Sequence, residues 1–287
     1  MILFFGEGRL GNQIFQYGFI RNFARINEFI ITNNFKEFKT VFNGYGNILN
    51  IQNKYITPLI KKLCLPILVF LSENKVISSV KVDYIKHRDL KMENNTYQYV
   101  KGFLPVTYIY PGFFQSEQFF SNQSLDHLRI NQSFISKAKN LLKNNILKQK
   151  HKVFVHIRRG DYLNLSICGM KGANLPMSYY KKSISWFNHN YPDSFFIFFS
   201  DDIDFVKKNF QYVKNKYISE QSLEIDFALM TLCRSAILSN STLSWWGAYF
   251  MKKRIKIISP KYWLGFKYDF EFPKSITPSF SETVQIR

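Results

Sequence analysis

Residues 153–162 read VFVHIRRGDY, an apolar run that ends in a histidine, two arginines and an aspartate. Short apolar runs bounded by polar residues are typical of buried strands. Similar runs recur farther along the chain, at residues 195–199, 236–238 and 255–258, with a weaker one at residues 217–218. Together these runs predict the strands of one sheet.

Helical patterns alternate with these strands, and each begins near a residue suited to cap a helix. Ser178, Asp201 and Ser222 are predicted to cap helices that run to residues 190, 210 and 232. Ser241 or Thr242 is predicted to cap another that runs to residue 252. Strict alternation of strand and helix predicts a parallel, doubly wound sheet, whose ligands bind at the carboxyl ends of its strands.

The N-terminal part opens with the same kind of unit: a strand at residues 2–5, a glycine-rich turn at 6–11 and a helix at 12–26. The turn matches G-x-G-x-x-G, but only Glu28 stands near the position of the expected ribose-binding acid, so this match is weak. Residues 35–110 show no regular pattern.

We predict two domains, residues 1–148 and residues 149–287. The polar, basic stretch 141–151 is the predicted bridge between them.

The chain has 39 Lys and Arg against 20 Asp and Glu, a net charge of +19 over 287 residues. This charge suits a nucleic acid, an anionic membrane or a phosphorylated small molecule, or it is a solvated basic surface. Cys64, Cys168 and Cys233 have no metal-site spacing, which favours reduced thiols. No signal peptide and no apolar run long enough to span a membrane is visible, so a cytoplasmic location is expected.

Two adjacent arginines, Arg158 and Arg159, follow the first strand of the C-terminal sheet. Arginines at such a position are costly to desolvate unless they are paired. Asp161 can pair with one, which leaves the other to meet an anion such as phosphate, and a purely structural Arg–Asp pair is the alternative. His156 shares a strand face with Arg158.

Carboxylates follow the next strand, at Asp201, Asp202 and Asp204. They can bind a metal–nucleotide, as in the D-x-D pattern of metal-dependent glycosyltransferases, or accept hydrogen bonds from a guanine or ribose. Helix capping explains the same residues without a ligand.

Residues 239–246, SNSTLSWW, place small hydroxyl side chains at the start of a helix that follows a strand. Backbone N–H groups at such a start are suited to phosphate. An ordinary capping cluster is the alternative.

Considered together, the motifs resemble the bacterial α-1,2-fucosyltransferases of glycosyltransferase family 11. The matching segments are residues 8–17 (GRLGNQIFQY), 112–117 (GFFQSE), 156–162 (HIRRGDY), 199–202 (FSDD), 225–230 (IDFALM) and 239–246. They occur in the family's order and extend from residue 8 to about residue 250.

The resemblance implies a GT-B type α/β fold, with two Rossmann-like halves whose parallel sheets face a cleft. It implies an inverting transfer of L-fucose from GDP-β-L-fucose to the 2-hydroxyl of a terminal galactoside, with no metal required. The C-terminal half would bind the donor and the N-terminal half the acceptor. The acceptor would be a glycan of surface polysaccharide such as O-antigen, free or lipid-linked, with peripheral contact to an anionic membrane.

The resemblance also implies residue roles. Arg158 would hold the sugar diphosphate, Asp202 or Asp201 would read guanine, and Asn12 would approach the reacting sugar. We assign to catalysis Arg158, His156, Asp161 and Asn12. We assign to donor binding Arg158, Arg159, Asp201, Asp202, Asn240, Ser241 and Thr242. We assign to the acceptor side Gly11, Asn12, Gln13, Gln115 and Glu117.

The mechanism expected from these assignments uses Arg158 as a fixed cation that stabilises the departing GDP. His156 would hold the diphosphate or ribose, and Asp161 would orient the loop. The candidates for a general base remain open, namely Glu7, Asp161, Glu117 and Asp226. A metal-dependent glycosyltransferase and a nucleic-acid-binding protein are the alternative functions, and no nucleic-acid partner is expected.

Overall fold

The computed structural model describes residues 1–25, 27–51, 56–88, 90–146 and 151–286, without the side chains of residues 56, 59–61 and 144–146. The chain divides into two compact units, Met1–Arg129 and Ile130–Arg287. Each unit is an α/β structure, so the predicted fold class is confirmed.

The first unit holds eight strands and four α-helices among the described residues. The strands are β1 (Ile2–Phe4), β2 (Ile30–Thr32), β3 (Phe42–Asn43), β4 (Ile48–Asn50), β5 (Ile77–His87), β6 (Leu90–Val100), β7 (Leu104–Ile109) and β8 (Arg129–Ile130), the last lying at the division. The helices are α1 (Leu10–Phe23), α2 (Lys36–Val41), α3 (Ile56–Glu73) and α4 (Asn122–Leu125), with a 3₁₀ turn at Glu117–Phe119.

The main sheet of the first unit has the order β4-β2-β1-β7-β5-β6. Its pairs are parallel except that β5 and β6 form a long antiparallel hairpin. The chain moves outward from β1 to β2 and β4, and it later returns on the other side of β1 as β7. The order therefore reverses between β1 and β7, where the loops after the two strands diverge.

The second unit has eight strands and five α-helices within the described ranges. The strands are β9 (His151–Ile157), β10 (Ser166–Ile167), β11 (Met170–Lys171), β12 (Ser194–Ser200), β13 (Lys216–Ile218), β14 (Ser235–Ile237), β15 (Lys256–Pro260) and β16 (Glu282–Val284). The helices are α5 (Gln132–Ile146), α6 (Met177–Asn190), α7 (Ile203–Asn209), α8 (Leu223–Thr231) and α9 (Thr242–Tyr249), with a 3₁₀ turn at Asp161–Leu163.

The six-stranded sheet of the second unit is entirely parallel, in the order β13-β12-β9-β14-β15-β16. Alternate residues of its central strand enter two different cores: Val153 and Val155 pack with α6 and α7, and Phe154 packs with α5, α8 and α9. Both faces of the sheet are thus covered by helices, which explains why its strands are continuous apolar runs.

The predicted strands of this sheet are confirmed, with ends shifted by one or two residues. The first turns of two helices differ from the prediction. Asp202, not Asp201, caps α7 by accepting the Phe205 N–H at 3.1 Å. Pro176, not Ser178, precedes α6. At α9, Ser241 is the cap, as one of the two predicted choices.

The predicted bridge at residues 141–151 is only partly a connection. Residues up to 146 belong to α5, whose Ala138 and Leu142 pack in the core of the second unit. Residues 147–150, where the predicted division at 148 falls, lie outside the described residues. The same is true of Ile26, the predicted end of the first helix, whereas α1 ends at Phe23.

No helix within the described ranges combines the length and the apolar composition needed to cross a bilayer.

Candidate active site

The predicted donor-site residues of the second unit meet where its strand order reverses. The chain runs from β9 outward through β12 to β13, and then crosses to β14 on the other side of β9. Loops that follow β9 and β14 therefore diverge at the carboxyl edge of the sheet, which is where ligands of such sheets bind. The loop after β12 adjoins the loop after β9 on the same edge.

Arg158 lies directly after β9 and is held by two carboxylates. Its Nη2 is 2.7 Å from Asp161 Oδ1, and its Nη1 is 3.0 Å from Asp201 Oδ2. The guanidinium also lies 5.4 Å from the centre of the Tyr162 ring. The side chain is 18% exposed, so an anion can reach it without unfolding of the loop.

Asp201 binds the loop after β9 through both carboxylate oxygens. Its Oδ2 pairs with Arg158, and its Oδ1 accepts the Arg159 backbone N–H at 2.9 Å. Gly160 makes this approach possible, because a Cβ there would stand 2.7 Å from Asp201 Oδ2. The requirement for glycine at position 160 is therefore steric.

Arg159 forms a second ion pair, between its Nε and Asp202 Oδ2 at 2.9 Å. Its guanidinium also lies over the Phe205 ring, 3.5 Å from the ring centre. The hydrogen bond from Arg159 lowers the pKa of Asp202, against a smaller effect of desolvation. Sequence reasoning expected one arginine to lack a protein partner, whereas both are paired because Asp201 and Asp202 both reach this loop.

His156 is buried within the sheet edge, with 4% of its surface exposed. Its Nδ1 lies 2.7 Å from Ser239 Oγ, a bond that joins β9 to the residues after β14. Burial, reinforced by the Arg158 charge, lowers the pKa of His156 to about 3. The imidazole is therefore neutral near pH 7, and its Nδ1 bond positions the Ser239 loop. Its contact with the diphosphate or ribose stays a prediction.

Asn240 also joins the two loops and is 1% exposed. Its side-chain Nδ2 donates to Ala173 O at 2.7 Å, and its backbone carbonyl oxygen accepts from Tyr162 Oη at 3.1 Å. Burial raises the pKa of Tyr162 to about 12, so this phenol stays protonated as a donor. The Nδ2 of Asn240 thus holds the loop that carries Ala173, whereas its Oδ1 is buried without a hydrogen-bond partner among the described residues. The place of Asn240 in donor binding stays a prediction.

The start of α9 lies beside these contacts. Ser241 Oγ accepts the Leu243 N–H at 3.4 Å, which satisfies one donor of the first turn. Thr242, the first helical residue, is partly exposed. The remaining N–H groups of this turn are suited to phosphate oxygens.

Asp226, in α8, is the candidate base with the most perturbed environment. It accepts a hydrogen bond from Ser219 Oγ at 2.5 Å, and Ser219 follows β13 at the same edge of the sheet. Burial raises the pKa of Asp226 to about 7, although the Ser219 bond acts in the opposite direction. The carboxyl therefore changes charge near neutral pH, as a general base requires.

In the first unit, the reversal of strand order brings Asn12 and Gln115 together. Asn12 follows β1 and Gln115 follows β7, and Gln115 Nε2 donates to Asn12 Oδ1 at 2.7 Å. Gly8 has a φ of +101°, and a Cβ there would stand 2.5 Å from Asn12 Nδ2. Glycine at position 8 therefore leaves room for the Asn12 side chain.

Glu93, which sequence reasoning missed, holds the loop that carries Gln115. Its two carboxylate oxygens accept the N–H groups of Phe113 and Phe114, at 2.6 and 2.7 Å. Burial raises its pKa, and the two N–H bonds oppose that change. Glu93 belongs to β6, where the apolar alternation is interrupted by the polar residues 93–96, and sequence reasoning identified no strand there.

The other predicted acceptor-side residues differ in exposure. Gly11 is buried, and Gln13 is 2% exposed, with its amide bonded to Gly8 O and to the Phe38 N–H. Gln13 therefore fastens the glycine-rich turn to α2. Glu117 is half-buried in the 3₁₀ turn, and Glu7 is exposed.

The two carboxylates of the D-x-D pattern at residues 202–204 have separate environments. Asp202 is used by Arg159 and by the helix cap, whereas Asp204 is exposed in the first turn of α7. Within the described ranges, no three His, Cys, Asp or Glu side chains form a group that could hold a metal ion. Independence of metal remains a prediction.

A model of glycosyl transferase family 11 matches residues 5–272 of the chain. The chain belongs to glycosyltransferase family 11. It is therefore a glycosyltransferase, and the predicted family is confirmed.

This family 11 glycosyltransferase is similar in sequence to three proteins of related activity. It is 33% identical over 142 residues to the O-antigen biosynthesis glycosyltransferase WbnK of Escherichia coli, covering 47% of each chain. It is 28% identical over 270 residues to the alpha-1,2-colitosyltransferase of Escherichia coli, covering 89% of this chain and 90% of that one. It is 30% identical over 102 residues to galactoside alpha-(1,2)-fucosyltransferase 1 of Saimiri boliviensis boliviensis, covering 34% of this chain and 28% of that one. The matches thus span less than half of the first and third relatives.

Among solved structures, the family 11 chain is similar to POFUT1 in complex with GDP-fucose. The TM-score is 0.52 at 13% identity, with 90% of this chain and 97% of that chain covered. At this identity the likeness concerns the fold, and it confirms the predicted GT-B type with two Rossmann-like units.

Proposed function

We propose that this glycosyltransferase transfers L-fucose from GDP-β-L-fucose to the 2-hydroxyl of a terminal galactoside, with inversion and without a metal ion. The acceptor would be a glycan of O-antigen or a related surface polysaccharide, free or lipid-linked. The α-1,2 linkage is supported by two relatives whose names state it.

The observation on which the proposal rests is the partly exposed side chain of Arg158 at the reversal of strand order in the second sheet. The departing GDP gains negative charge as the glycosidic bond of the donor breaks. A preorganised cation at that point lowers the energy of the transition state. Arg158 and the N–H groups at the start of α9 would share the diphosphate between them.

The two carboxylates on Arg158 differ in a way that suggests how the donor binds. The side chain of Asp161 is 65% exposed, whereas that of Asp201 is 26% exposed and also bonded to the Arg159 N–H. A diphosphate oxygen would replace Asp161 on Nη2, and Asp201 would keep Nη1 fixed. Asp161 would thus occupy the anion position until the donor arrives.

Asp201 and Asp202 would keep their predicted places around the nucleoside. Each carboxylate oxygen that already accepts one hydrogen bond has a second lone pair for a guanine or ribose donor. Asn12, fixed by Gln115 in the acceptor unit, would approach the reacting sugar. The acceptor proton would pass to a carboxylate, and Asp226 is suited to this role because burial raises its pKa to about 7.

Colitosyl transfer is the second candidate function, because the relative matched over 89% of this chain is an alpha-1,2-colitosyltransferase. Colitose lacks the 3-hydroxyl of fucose, so both donors present the same diphosphate to Arg158. Discrimination between the two donors depends on whether a buried polar group of the site binds the 3-hydroxyl of fucose.

Titration calorimetry with EDTA present tests the donor. GDP-fucose, GDP-colitose, GDP-mannose and UDP-galactose are compared on one preparation. The proposal expects GDP-fucose to bind best and to yield an α-fucoside on a β-galactoside, identified by proton NMR. Preference for GDP-colitose would select the second function, and loss of activity in EDTA that manganese restores would overturn the metal-independent mechanism.

A further inference from the structure

One face of α3 is apolar and exposed, although the helix belongs to a folded unit. Leu63, Ile67 and Phe70 are 56%, 57% and 64% exposed. Their spacing of four and three residues places them on the same side of the helix. Other side chains of α3 pack against the core that contains Phe5, Ile77 and Tyr108, namely those of Leu65, Leu68, Val69 and Leu71.

Phe103, in the turn between β6 and β7, is a further exposed apolar side chain, with 91% of its surface exposed. Its backbone N–H donates to Lys75 O at 2.9 Å, just after α3, and the Leu104 N–H donates to Val76 O at 2.8 Å. The turn between β6 and β7 is therefore attached to the C-terminal end of α3. Large apolar surfaces of this kind mark sites of interaction.

The surroundings of this apolar surface are basic. Lys62, Lys75 and Lys101 are exposed on α3 or beside its end, and Glu73 is the exposed acidic residue of the helix. The whole chain has a net charge of +19. An apolar helix face bordered by lysines is complementary to a bilayer that presents anionic headgroups.

We propose that the exposed face of α3 and Phe103, here called the α3 surface, docks on an anionic lipid bilayer. One side of α3 is packed in the core, so the helix would lie in the plane of the membrane surface with Leu63, Ile67 and Phe70 among the acyl chains. This proposal does not depend on which sugar nucleotide is the donor. It would bring a lipid-linked acceptor and the enzyme to the same two-dimensional surface.

Flotation of the purified chain with vesicles that contain no glycan tests the α3 surface. Pure phosphatidylcholine vesicles are compared with vesicles that also contain phosphatidylglycerol. We expect binding to the second kind, weakened by added salt because the lysine contribution is screened. The triple variant Ile67→Ser, Phe70→Ser and Phe103→Ser should lower the partition coefficient at least about tenfold.

The control variant is Tyr212→Ser, which removes a side chain that is 50% exposed in the second unit and should leave vesicle binding unchanged. Circular dichroism melting shows whether each variant is folded. Turnover of a water-soluble acceptor by the triple variant should equal that of the unaltered chain, which separates this test from that of the proposed function. Three results would overturn the proposal: no vesicle binding, equal binding by the triple variant, or a dimer in sedimentation that the triple variant dissociates.

Discussion

Gln115 Nε2 donates to Asn12 Oδ1 at 2.7 Å and thereby joins the loop after β7 to the first turn of α1. The two residues are far apart in sequence and meet only because β1 and β7 are neighbours in the sheet. An asparagine fixed in this way presents its Nδ2 in one orientation. The pair is the part of the proposed acceptor site with the best-defined geometry.

A double-mutant cycle on this pair measures its contribution. Asn12→Ala and Gln115→Ala should each lower kcat/KM, and the double variant should lose less than the product of the two effects, because the second change removes a bond already broken. We expect a coupling of about 1 kcal/mol. Fully multiplicative losses would show that the bond has no role in turnover.

Replacement of Arg158 by lysine keeps the charge but removes the two-sided contact with Asp161 and Asp201. We expect turnover to fall at least ~100-fold, by analogy with loss of one preorganised donor. Steady-state kinetics with saturating donor give the value. Near-normal turnover would refute the assigned role of Arg158.

The proposed exchange of Asp161 for phosphate predicts opposite effects for the two partners of Arg158. Asp161→Asn removes a competing carboxylate and should strengthen GDP binding severalfold. Asp201→Asn should weaken it, because the guanidinium then loses its fixed support. Calorimetry with GDP is the measurement, and equal weakening in both variants would contradict the exchange.

Because His156 is buried in its neutral form, the free energy of unfolding should decrease as the pH falls below neutral. Its pKa is about 3 when folded, against an ordinary value of 6.5. Below about pH 6.5 the unfolded chain takes up a proton that the folded chain does not, so this contribution is present above pH 6.5 and is lost as the pH falls toward 3. Between pH 7 and 5 the unaltered chain should lose about 2 kcal/mol more free energy of unfolding than His156→Gln does.

Urea unfolding at the two pH values gives these free energies. His189→Gln, at an exposed position of α6, is the matched control and should keep the pH dependence of the unaltered chain. The same pH dependence in His156→Gln would show that His156 is not buried in its neutral form.

Asp226 should make stability depend on pH in the opposite direction, because its pKa is raised to about 7. The folded chain holds this proton after the unfolded chain has released it, so the associated stability is lost as the pH rises from about 4 through 7. Asp226→Asn keeps an oxygen for the Ser219 bond and carries no charge. Its melting temperature should exceed that of the unaltered chain at pH 8 more than at pH 5.

Activity distinguishes the base from a merely buried acid. If Asp226 accepts the proton of the acceptor hydroxyl, kcat of the unaltered chain should fall as the pH drops below about 7. Asp226→Asn should lose most of its turnover, and its remaining kcat should no longer fall in this pH range. Full activity in Asp226→Asn would transfer the role to another carboxylate.

The inner strands of the second sheet were predictable because they are buried on both faces, which makes runs such as residues 153–157 continuously apolar. The edge strand β16 is largely exposed, and it was not predicted. The hairpin β5–β6 was not predicted either. Most of β6 is exposed, and its polar residues are satisfied across the strands, as where Thr96 and Gln98 both donate to Asp83. The apolar alternation in β5, at Val80, Val82 and Tyr84, is short, and sequence reasoning missed it.

Within the site, the end of the predicted strand β9 located the charged residues that follow it but did not reveal the partners of those residues. Whether His156 faces a ligand or a neighbouring strand depends on Ser239, which is placed by β14. Likewise, the pairing of Asp201 with Arg158 follows from the adjacency of β12 and β9. Sequence order along the chain does not specify which strands become neighbours.

The bare backbone at Gly160 has an evolutionary consequence. Any residue with a side chain there would collide with Asp201 Oδ2, which lies 2.7 Å from the position of its Cβ. A side chain at position 160 therefore requires the Asp201 carboxylate to rotate away, which would loosen its ion pair with Arg158. Homologues that lack this glycine should hold the arginine in another way.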